Sequence, residues 1–234
     1  MASARELITN QTIRKARFKF PADARSFAST LAGAYKNRVE SRYGALQYDE
    51  PTREKIEKLS RWMTDNETKS SLILYGGVGT GKSTLIYALA DTIEATKSIL
   101  KAKVNPGDCV GDMARLEAFP SLCAISAQEL ANVAMASQQN GNDIFGRYKT
   151  KVQLLAIDDL GCEPTVVKNF GTEVTPVMDV IYARYNLNLP TIITTNLDFQ
   201  AIKKIYGERI ADRINEVYER LAFNQRSYRE LFHK

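Results

Sequence analysis

The chain has 234 residues, of which 44% are hydrophobic and 25% are charged, a composition typical of a globular protein with a substantial core. No apolar run approaches the roughly 20 residues that cross a bilayer, and the first residues lack the apolar segment of a signal peptide. These features argue against a membrane protein and predict a cytoplasmic one. The three cysteines form no C-x-x-C pair and the single histidine is His233, which argues against a zinc site.

The positive charge is concentrated near the N-terminus. Residues 1–61 hold 13 Lys and Arg side chains against 7 Asp and Glu, whereas the net charge of the whole chain is +5. Residues 1–20 interleave basic side chains with Phe18 and Phe20, a pattern that can follow a nucleic-acid strand and stack its bases. A docking segment for an acidic protein surface and an ordinary solvated helical surface are the alternatives.

Two helices are predicted behind this basic segment. Apolar residues recur at helical spacing from Asp23 to Arg42 and again from Thr52 to Met63. We therefore divide the chain into a basic, helical, partner-binding leader at residues 1–64 and a core at residues 65–234.

The core begins with a strand, a glycine-rich turn and a helix. Ser71 to Tyr75 is a short apolar run, and the eight residues from Gly76 to Ser83 match the pattern G-x-x-x-x-G-K-[ST]. Glycines let backbone N–H groups wrap closely around phosphate oxygens, and the N-terminus of the following helix attracts the same anion. Lys82 is expected to reach the β- and γ-phosphates of a nucleotide, and Ser83 to bind Mg²⁺.

Two carboxylates end a later apolar strand. Residues 98–120, which include Lys101 and Lys103, show no regular pattern; a strand at 121–126, a helix at 127–137 and a polar loop at 138–143 follow. The next strand, at residues 152–157, leads into Asp158 and Asp159. Asp158 is placed to hold Mg²⁺ opposite Ser83, and Asp159 to orient and deprotonate an attacking water. An ordinary acidic turn is the alternative for the two residues taken alone.

More polar residues follow a loop at 163–175, a helix at 176–185 and a strand at 191–195. Asn196, at the end of that strand, either hydrogen-bonds the attacking water and senses the γ-phosphate or caps the next helix. Arg209 and Arg213 lie four residues apart and share a helix face. Either one of them is an arginine finger that enters a neighbouring subunit's ATP, or both pair with nearby carboxylates.

The alternation of strands and helices predicts a parallel α/β sheet that carries the nucleotide at the carboxyl ends of its strands. A fifth strand is expected near residues 221–223, by analogy with other nucleotide-binding sheets of this type. Many such proteins carry a large lid domain after the sheet, and here we expect the lid to be reduced or absent, because few residues follow Asn196.

Five ordered motifs within residues 70–230 resemble those of the DnaC/DnaI helicase-loader group of AAA+ ATPases and of the related IstB transposition ATPases. The motifs are GGVGTGKST, LLAIDDLG, PTIITTNL, GERIADRI and SYR. The resemblance does not extend into the leader. It implies a P-loop NTPase of the AAA+ type, with a RecA-like parallel sheet flanked by helices, that uses ATP and Mg²⁺.

The resemblance also implies a role for each matching residue. Asp158 and Asp159 correspond to Walker B, with Ser83 and Asp158 holding the metal, and Asn196 corresponds to sensor I. The short Asp159 side chain, where many AAA+ proteins have Glu, implies slow hydrolysis. Arg213 corresponds to the arginine finger with Arg209 as its helper or substitute, Arg229 to sensor II, and the Walker A residues that bind the nucleotide are Gly76, Gly77, Val78, Gly79, Thr80, Gly81, Lys82, Ser83 and Thr84.

The same resemblance implies that the leader binds a replicative helicase, and that the core self-associates through Arg213 and Arg209 and grips single-stranded DNA. Lys168–Phe170 and the basic residues Lys101 and Lys103 are candidates for the DNA-facing side. We therefore predict a slow, DNA-stimulated ATPase that loads a replicative helicase onto single-stranded DNA, with ATP binding and hydrolysis controlling assembly and release.

Three other functions remain open at this point. An IstB-like transposition helper would share the ATPase site but act on duplex DNA. A P-loop small-molecule kinase would be a monomer that needs no arginine from a neighbour, and the paired arginines disfavour it. An adaptor that binds ATP without hydrolysing it would use nucleotide binding alone to bias assembly.

Overall fold

A computed structural model describes residues 23–44, 49–65, 67–96, 121–136, 144–150, 154–169 and 171–231. Several predicted features lie outside the described residues: the basic segment at residues 1–20, Lys101 and Lys103, the polar loop at 138–143, Phe170 and His233. Within the described residues, no helix combines the length and the apolar character that crossing a membrane requires.

The described elements alternate as the sequence predicts. The strands are β1 (Ser71–Gly76), β2 (Leu122–Ser126), β3 (Leu154–Leu160), β4 (Val167–Asn169), β5 (Thr172–Val174), β6 (Thr191–Thr195) and β7 (Tyr218–Phe223). The helices are α1 (Ala24–Tyr43), α2 (Glu50–Thr64), α3 (Lys82–Thr96), α4 (Ala127–Ala136), α5 (Ile144–Thr150), α6 (Pro176–Asn186), α7 (Phe199–Tyr206), α8 (Glu208–Val217) and α9 (Tyr228–Leu231).

Five strands form one parallel sheet in the order β2-β3-β6-β1-β7. The predicted parallel α/β sheet is therefore confirmed, and so is its fifth strand, which begins at Tyr218 rather than near residue 221. All five residues of β6 and the first four of β1 are buried, because helices cover both faces of the sheet. The carboxyl ends of β1, β3 and β6 meet at one edge, where the P-loop and the polar residues after β3 and β6 come together.

Strand β3 carries one extra residue near its end. It pairs with β6 in register from Leu155 to Ile157, but the pairing resumes with Leu160 opposite Thr195, so β3 has two residues where β6 has one. This is a β-bulge. The two residues in the bulge are Asp158 and Asp159, and Asp159 has a left-handed backbone conformation with φ of 56°.

The part of the leader that the structure describes packs directly on the P-loop helix. Helix α1 buries an apolar stripe formed by Phe27, Leu31, Tyr35 and Val39, and this stripe lies in the same core cluster as the inner face of α3. The Arg38 guanidinium pairs with the carboxylate of Asp91 on α3. Residues 24–64 thus share a hydrophobic core with the sheet, while the boundary at residue 64 and the leader's binding of a partner stay predictions.

Two local features differ from the sequence prediction. The predicted loop at 163–175 contains an antiparallel hairpin, β4 and β5, in which Val167 faces Val174 and Lys168 faces Glu173. The short helix α5 was not predicted. Runs of three strand residues or seven helical residues are too short for periodicity to reveal. Helix α5 is held by packing, since Phe145 is buried in the same core cluster as residues of α4 and α6.

Candidate functional site

The loop between β1 and α3 requires glycine for two separate reasons. Gly79 and Gly81 have positive φ values of 75° and 94°, which glycine adopts at no steric cost. Neighbouring elements also approach both residues closely. A Cβ atom on Gly79 would lie 2.2 Å from the Ser227 hydroxyl, and one on Gly81 would lie 2.8 Å from the Tyr35 hydroxyl. The loop is therefore packed from behind by the leader and by the C-terminal segment.

Lys82, the first residue of α3, points back into this loop. Its ammonium donates to the backbone oxygens of Gly76 and Gly77 at 2.9 and 2.7 Å and to the side-chain oxygen of Asn196 at 2.7 Å. Burial lowers the pKa of Lys82, and the carboxylates of Asp159 and Asp158 act in the opposite direction. All three ammonium protons are thus directed at the loop and at the end of β6.

Ser83 and Asp158 meet below the loop. The Ser83 hydroxyl donates to Oδ1 of Asp158 at 2.9 Å, and Asp158 itself is buried. A hydroxyl and a carboxylate side by side at the start of a phosphate-binding helix are the hard oxygen ligands that Mg²⁺ uses together with nucleotide phosphates. Because the glycine-rich loop and the Lys82 ammonium lie beside them, these residues fit a magnesium–nucleotide complex.

Asp159 lies beside Asp158 but faces the open cleft. Burial and the neighbouring charge of Asp158 raise the pKa of Asp159, while Lys82 and Arg229 partly offset this effect. A carboxylate with a raised pKa is a better proton acceptor than an ordinary Asp, provided that it is ionised.

Asn196 lies at the end of β6, as predicted, but it does not cap the next helix. The cap of α7 is Asp198, whose side chain accepts a hydrogen bond from the backbone N–H of Ala201 at 2.7 Å. The side-chain oxygen of Asn196 accepts from Lys82 instead. The capping interpretation of Asn196 is therefore wrong.

The cleft is open to solvent and has a cavity volume of about 210 Å³. Its walls come from the P-loop, from Asp159 and Asn196, and from Arg229 in the C-terminal segment. The opposite wall is formed by helix α1 of the leader and by Tyr228. The α1 side chains in this wall are Tyr35, Val39, Arg42 and Tyr43. The sequence does not predict that α1 lines the cleft, because the helical spacing of Tyr35 and Val39 indicates only that they face a core.

Hydrogen bonds hold the C-terminal segment against the P-loop. The backbone N–H of Tyr228 donates to the oxygen of Gly79 at 2.9 Å, and the side chain of Gln225 donates to the oxygen of Thr80 at 2.8 Å. These bonds bring Arg229 to the cleft. The Tyr228 hydroxyl also bonds to Thr52 and Asp49 at the start of α2, so the segment links the leader to the P-loop.

Arg209 and Arg213 lie on helix α8, outside the cleft. The Arg213 guanidinium stacks over Tyr182 and Tyr185 of α6, at 4.4 and 4.9 Å from the ring centroids, and donates to the backbone oxygen of Arg209. Its Nε atom is buried and has no hydrogen-bond partner among the described residues. The carboxylates considered as partners of these arginines are Glu208, Asp212 and Glu216. Glu208 pairs with Lys203, and Glu216 accepts a hydrogen bond from the Tyr185 hydroxyl.

The structure therefore gathers one group of the predicted site residues and leaves two apart. Arg209 and Arg213 do not contribute to the cleft of their own chain. The residues brought together are Gly76, Gly77, Val78, Gly79, Thr80, Gly81, Lys82, Ser83, Thr84, Asp158, Asp159, Asn196 and Arg229.

Two solved structures resemble this arrangement. The crystal structure of the DnaC helicase loader has a TM-score of 0.53 and 20% sequence identity over 81% of this chain and 98% of that chain. The crystal structure of DnaI has a TM-score of 0.51 and 22% identity over 77% of this chain and 89% of that one. The fold is that of an AAA+ P-loop NTPase.

The predicted likeness to DnaC and DnaI is thus confirmed at the level of the fold. No protein-family model matches the sequence, and neither does any curated protein.

Proposed function

We propose that this protein is a cytoplasmic ATPase that binds ATP with Mg²⁺ and hydrolyses it slowly. The observation that carries the proposal is the pair of contacts across the P-loop, Lys82 with Asn196 and Ser83 with Asp158. These two contacts set a phosphate-binding cation, two metal-binding oxygens and a polar amide around one glycine cradle.

Each side chain has one task in the proposed reaction. Lys82 binds the β- and γ-phosphates and stabilises the charge that develops on them. Asp159 accepts the proton of the attacking water, which Asn196 orients, and Arg229 contacts the γ-phosphate in its own chain. Ser83 and Asp158 would hold Mg²⁺. When bound, this ion would neutralise part of the negative charge of the phosphates.

Arg213 is proposed to act on the ATP of a neighbouring copy, with Arg209 as its helper. Its separation from its own cleft is the property that a finger acting between subunits requires. The stacking on Tyr182 and Tyr185 supports this role, because a guanidinium held on aromatic faces loses little conformational freedom when it meets a phosphate.

For the biological role we propose helicase loading. The leader at residues 1–64 binds a replicative helicase, the ATPase core assembles on single-stranded DNA, and ATP binding and hydrolysis control assembly and release. Lys168 supports the DNA contact, because it is exposed on the β4–β5 hairpin. The likeness to the DnaC helicase loader favours this role over the IstB-like one.

The test measures ATP hydrolysis with and without single-stranded DNA for the wild type, Lys82→Ala and Lys168→Ala. We expect turnover that depends on Lys82 and rises with DNA, and a smaller rise in Lys168→Ala. Co-purification with the host's replicative helicase, lost when residues 1–64 are deleted, completes the test. Turnover that responds only to duplex DNA would favour the transposition helper. Nucleotide consumption that needs a small-molecule acceptor would overturn the proposal in favour of a kinase.

A further inference from the structure

The two carboxylates of the cleft are neighbours in a β-strand. Successive side chains of a regular strand point to opposite faces of the sheet, so a regular β3 would separate Asp158 from Asp159. The bulge in β3 changes this. Its extra residue and the left-handed conformation of Asp159 let one carboxylate meet Ser83 while the other faces the cleft. The function proposed above needs Asp158 beside Ser83 and Asp159 facing the cleft.

One side chain of the neighbouring strand holds both residues of the bulge. Thr194 lies on β6 opposite the bulge and is fully buried, with 0% of its surface exposed. Its hydroxyl accepts a hydrogen bond from the backbone N–H of Asp159 at 2.9 Å. The same hydroxyl donates to Oδ1 of Asp158 at 2.5 Å. A hydroxyl group has one proton to donate and lone pairs to accept, so one threonine satisfies both residues at once.

We propose that Thr194 is a positioning residue that holds the bulge of β3 and thereby aims Asp158 and Asp159 at the nucleotide. The inference rests on the proposed ATPase function. Thr194 does not touch the cleft; it acts through the two carboxylates. A backbone N–H in a bulge has lost its partner in the strand ladder, and the Thr194 hydroxyl replaces that partner for Asp159.

The Oδ1 atom of Asp158 receives two hydroxyl protons, from Ser83 and from Thr194. Without the second donor the carboxylate is free to rotate about its terminal torsion, which is a soft one. Without the acceptor, the partly buried N–H of Asp159 loses this partner, and a regular strand becomes the better arrangement. Either change would remove one of the two hydrogen bonds that fix the carboxylates.

Three variants of one strand test this positioning role. Thr194→Val keeps the shape and the β-branch of the side chain but removes the hydroxyl, and Thr194→Ser keeps the hydroxyl. Thr191→Val is the matched control, because Thr191 lies on the same strand, is equally buried and bonds to Arg184 and Leu189 rather than to the carboxylates. For each variant, kcat, KM, the affinity for a fluorescent ATP analogue and the melting temperature are measured.

We expect Thr194→Val to lower kcat by about 100-fold, the cost of misplacing a reacting group by about an ångström, with little change in nucleotide affinity. Thr194→Ser should restore most of the activity, and Thr191→Val should lower the melting temperature while it keeps kcat. A Thr194→Val protein with wild-type kcat, or equal losses of kcat in Thr194→Val and Thr191→Val, would overturn the inference.

A second measurement needs only the wild type. The amide hydrogen of Asp159 should be protected from exchange with solvent, because the hydroxyl of the fully buried Thr194 accepts it. Rapid exchange of this amide would overturn the inference even if the valine variant failed to fold. A wild type without Lys82-dependent turnover, in contrast, would refute the proposed ATPase function, and the exchange result would still report on the bulge.

Discussion

Lys82 donates a hydrogen bond to the side-chain oxygen of Asn196 at 2.7 Å, which joins the start of the P-loop helix to the end of strand β6. The two residues are far apart in the sequence and reach each other only because β1 and β6 are neighbours in the sheet. The amide that is proposed to orient water is therefore already in contact with the cation that is proposed to bind the phosphates.

This contact distinguishes the effects of two substitutions. Lys82→Ala should abolish both ATP binding and turnover, because it removes the cation that is proposed to bind phosphate in the ground state. Asn196→Ala should leave ATP affinity largely intact but lower kcat by about 100-fold, since the amide is proposed to act on the attacking water. Equilibrium binding of a fluorescent ATP analogue and steady-state kinetics separate the two effects. Equal losses of affinity in both variants would mean that Asn196 serves mainly to hold the lysine.

Asp159→Asn should abolish turnover and stabilise the fold. Burial and Asp158 raise the pKa of Asp159 in the folded state, so the folded protein binds the proton more tightly than the unfolded chain does. Ionisation of Asp159 therefore costs stability, and the cost is present above the raised pKa and absent below the unfolded value. Asn also tolerates the left-handed backbone better than most residues. We expect the melting temperature to rise at pH 7.

The pH dependence provides the control for this prediction. The rise in melting temperature has two sources, the loss of the Asp159 charge and the better fit of Asn to the left-handed backbone. The part that comes from the charge should shrink as the pH falls through the raised pKa of Asp159, whereas the part that comes from the backbone should stay. Melting curves of the wild type and Asp159→Asn at pH 7 and near pH 4 check this. A gain of the same size at both values would assign the whole effect to the backbone.

Arg213→Ala should lose turnover as an isolated variant but regain it in a mixture. Its own P-loop and carboxylates are intact, whereas Lys82→Ala has an intact Arg213 that can reach a neighbour's cleft. Mixing the two inactive proteins should therefore restore part of the wild-type rate if the arginine acts between subunits. Mixing with a Lys82→Ala, Arg213→Ala double variant serves as the control. If Arg213→Ala alone is fully active, the finger assignment is wrong.

Leu31→Ala tests whether the leader and the ATPase core unfold together. Leu31 is fully buried in the cluster that also contains the inner face of α3, so its truncation should cost about 2–5 kcal/mol. Trp62, the single tryptophan, lies buried in α2 and reports on the leader by fluorescence, while circular dichroism reports on the whole chain. Both probes should shift to lower denaturant concentration together.

Lys36→Ala, at an exposed position of the same helix, is the control for this variant and should change little. Two separate transitions, with Trp62 melting before the bulk of the helix signal, would show that the leader forms a unit of its own.

Sequence alone predicts strands β1 and β6 and the residues at their ends, because the pattern that identifies each strand lies within a few consecutive residues. An apolar run followed by Gly76–Ser83, or by Asn196, identifies a strand and its polar end without any knowledge of neighbours. The octapeptide carries the phosphate chemistry in its residue types alone.

What could not be predicted depends on partners that are distant in the sequence. Tyr35 and Val39 show helical spacing, but nothing local says that the helix packs on α3 and lines the cleft. The bulge at Asp158 and Asp159 arises from a mismatch between two strands, and two adjacent aspartates carry no signal of it. Thr194, whose hydroxyl holds that bulge, is an ordinary β-branched residue within a strand.

Strand β7 completes the sheet beside β1, although the ribosome makes it long after the P-loop. While the chain is being synthesised, β1 and the phosphate-binding turn therefore emerge without either flanking strand, β6 or β7. Gln225 and Tyr228, which brace that turn from behind, emerge later still. Nascent chains interrupted before this point would expose an apolar strand and lack a braced phosphate-binding loop. ATP bound as proposed would thus stabilise chains that have been translated through residue 229 more than shorter ones, which would be left to chaperones and proteases.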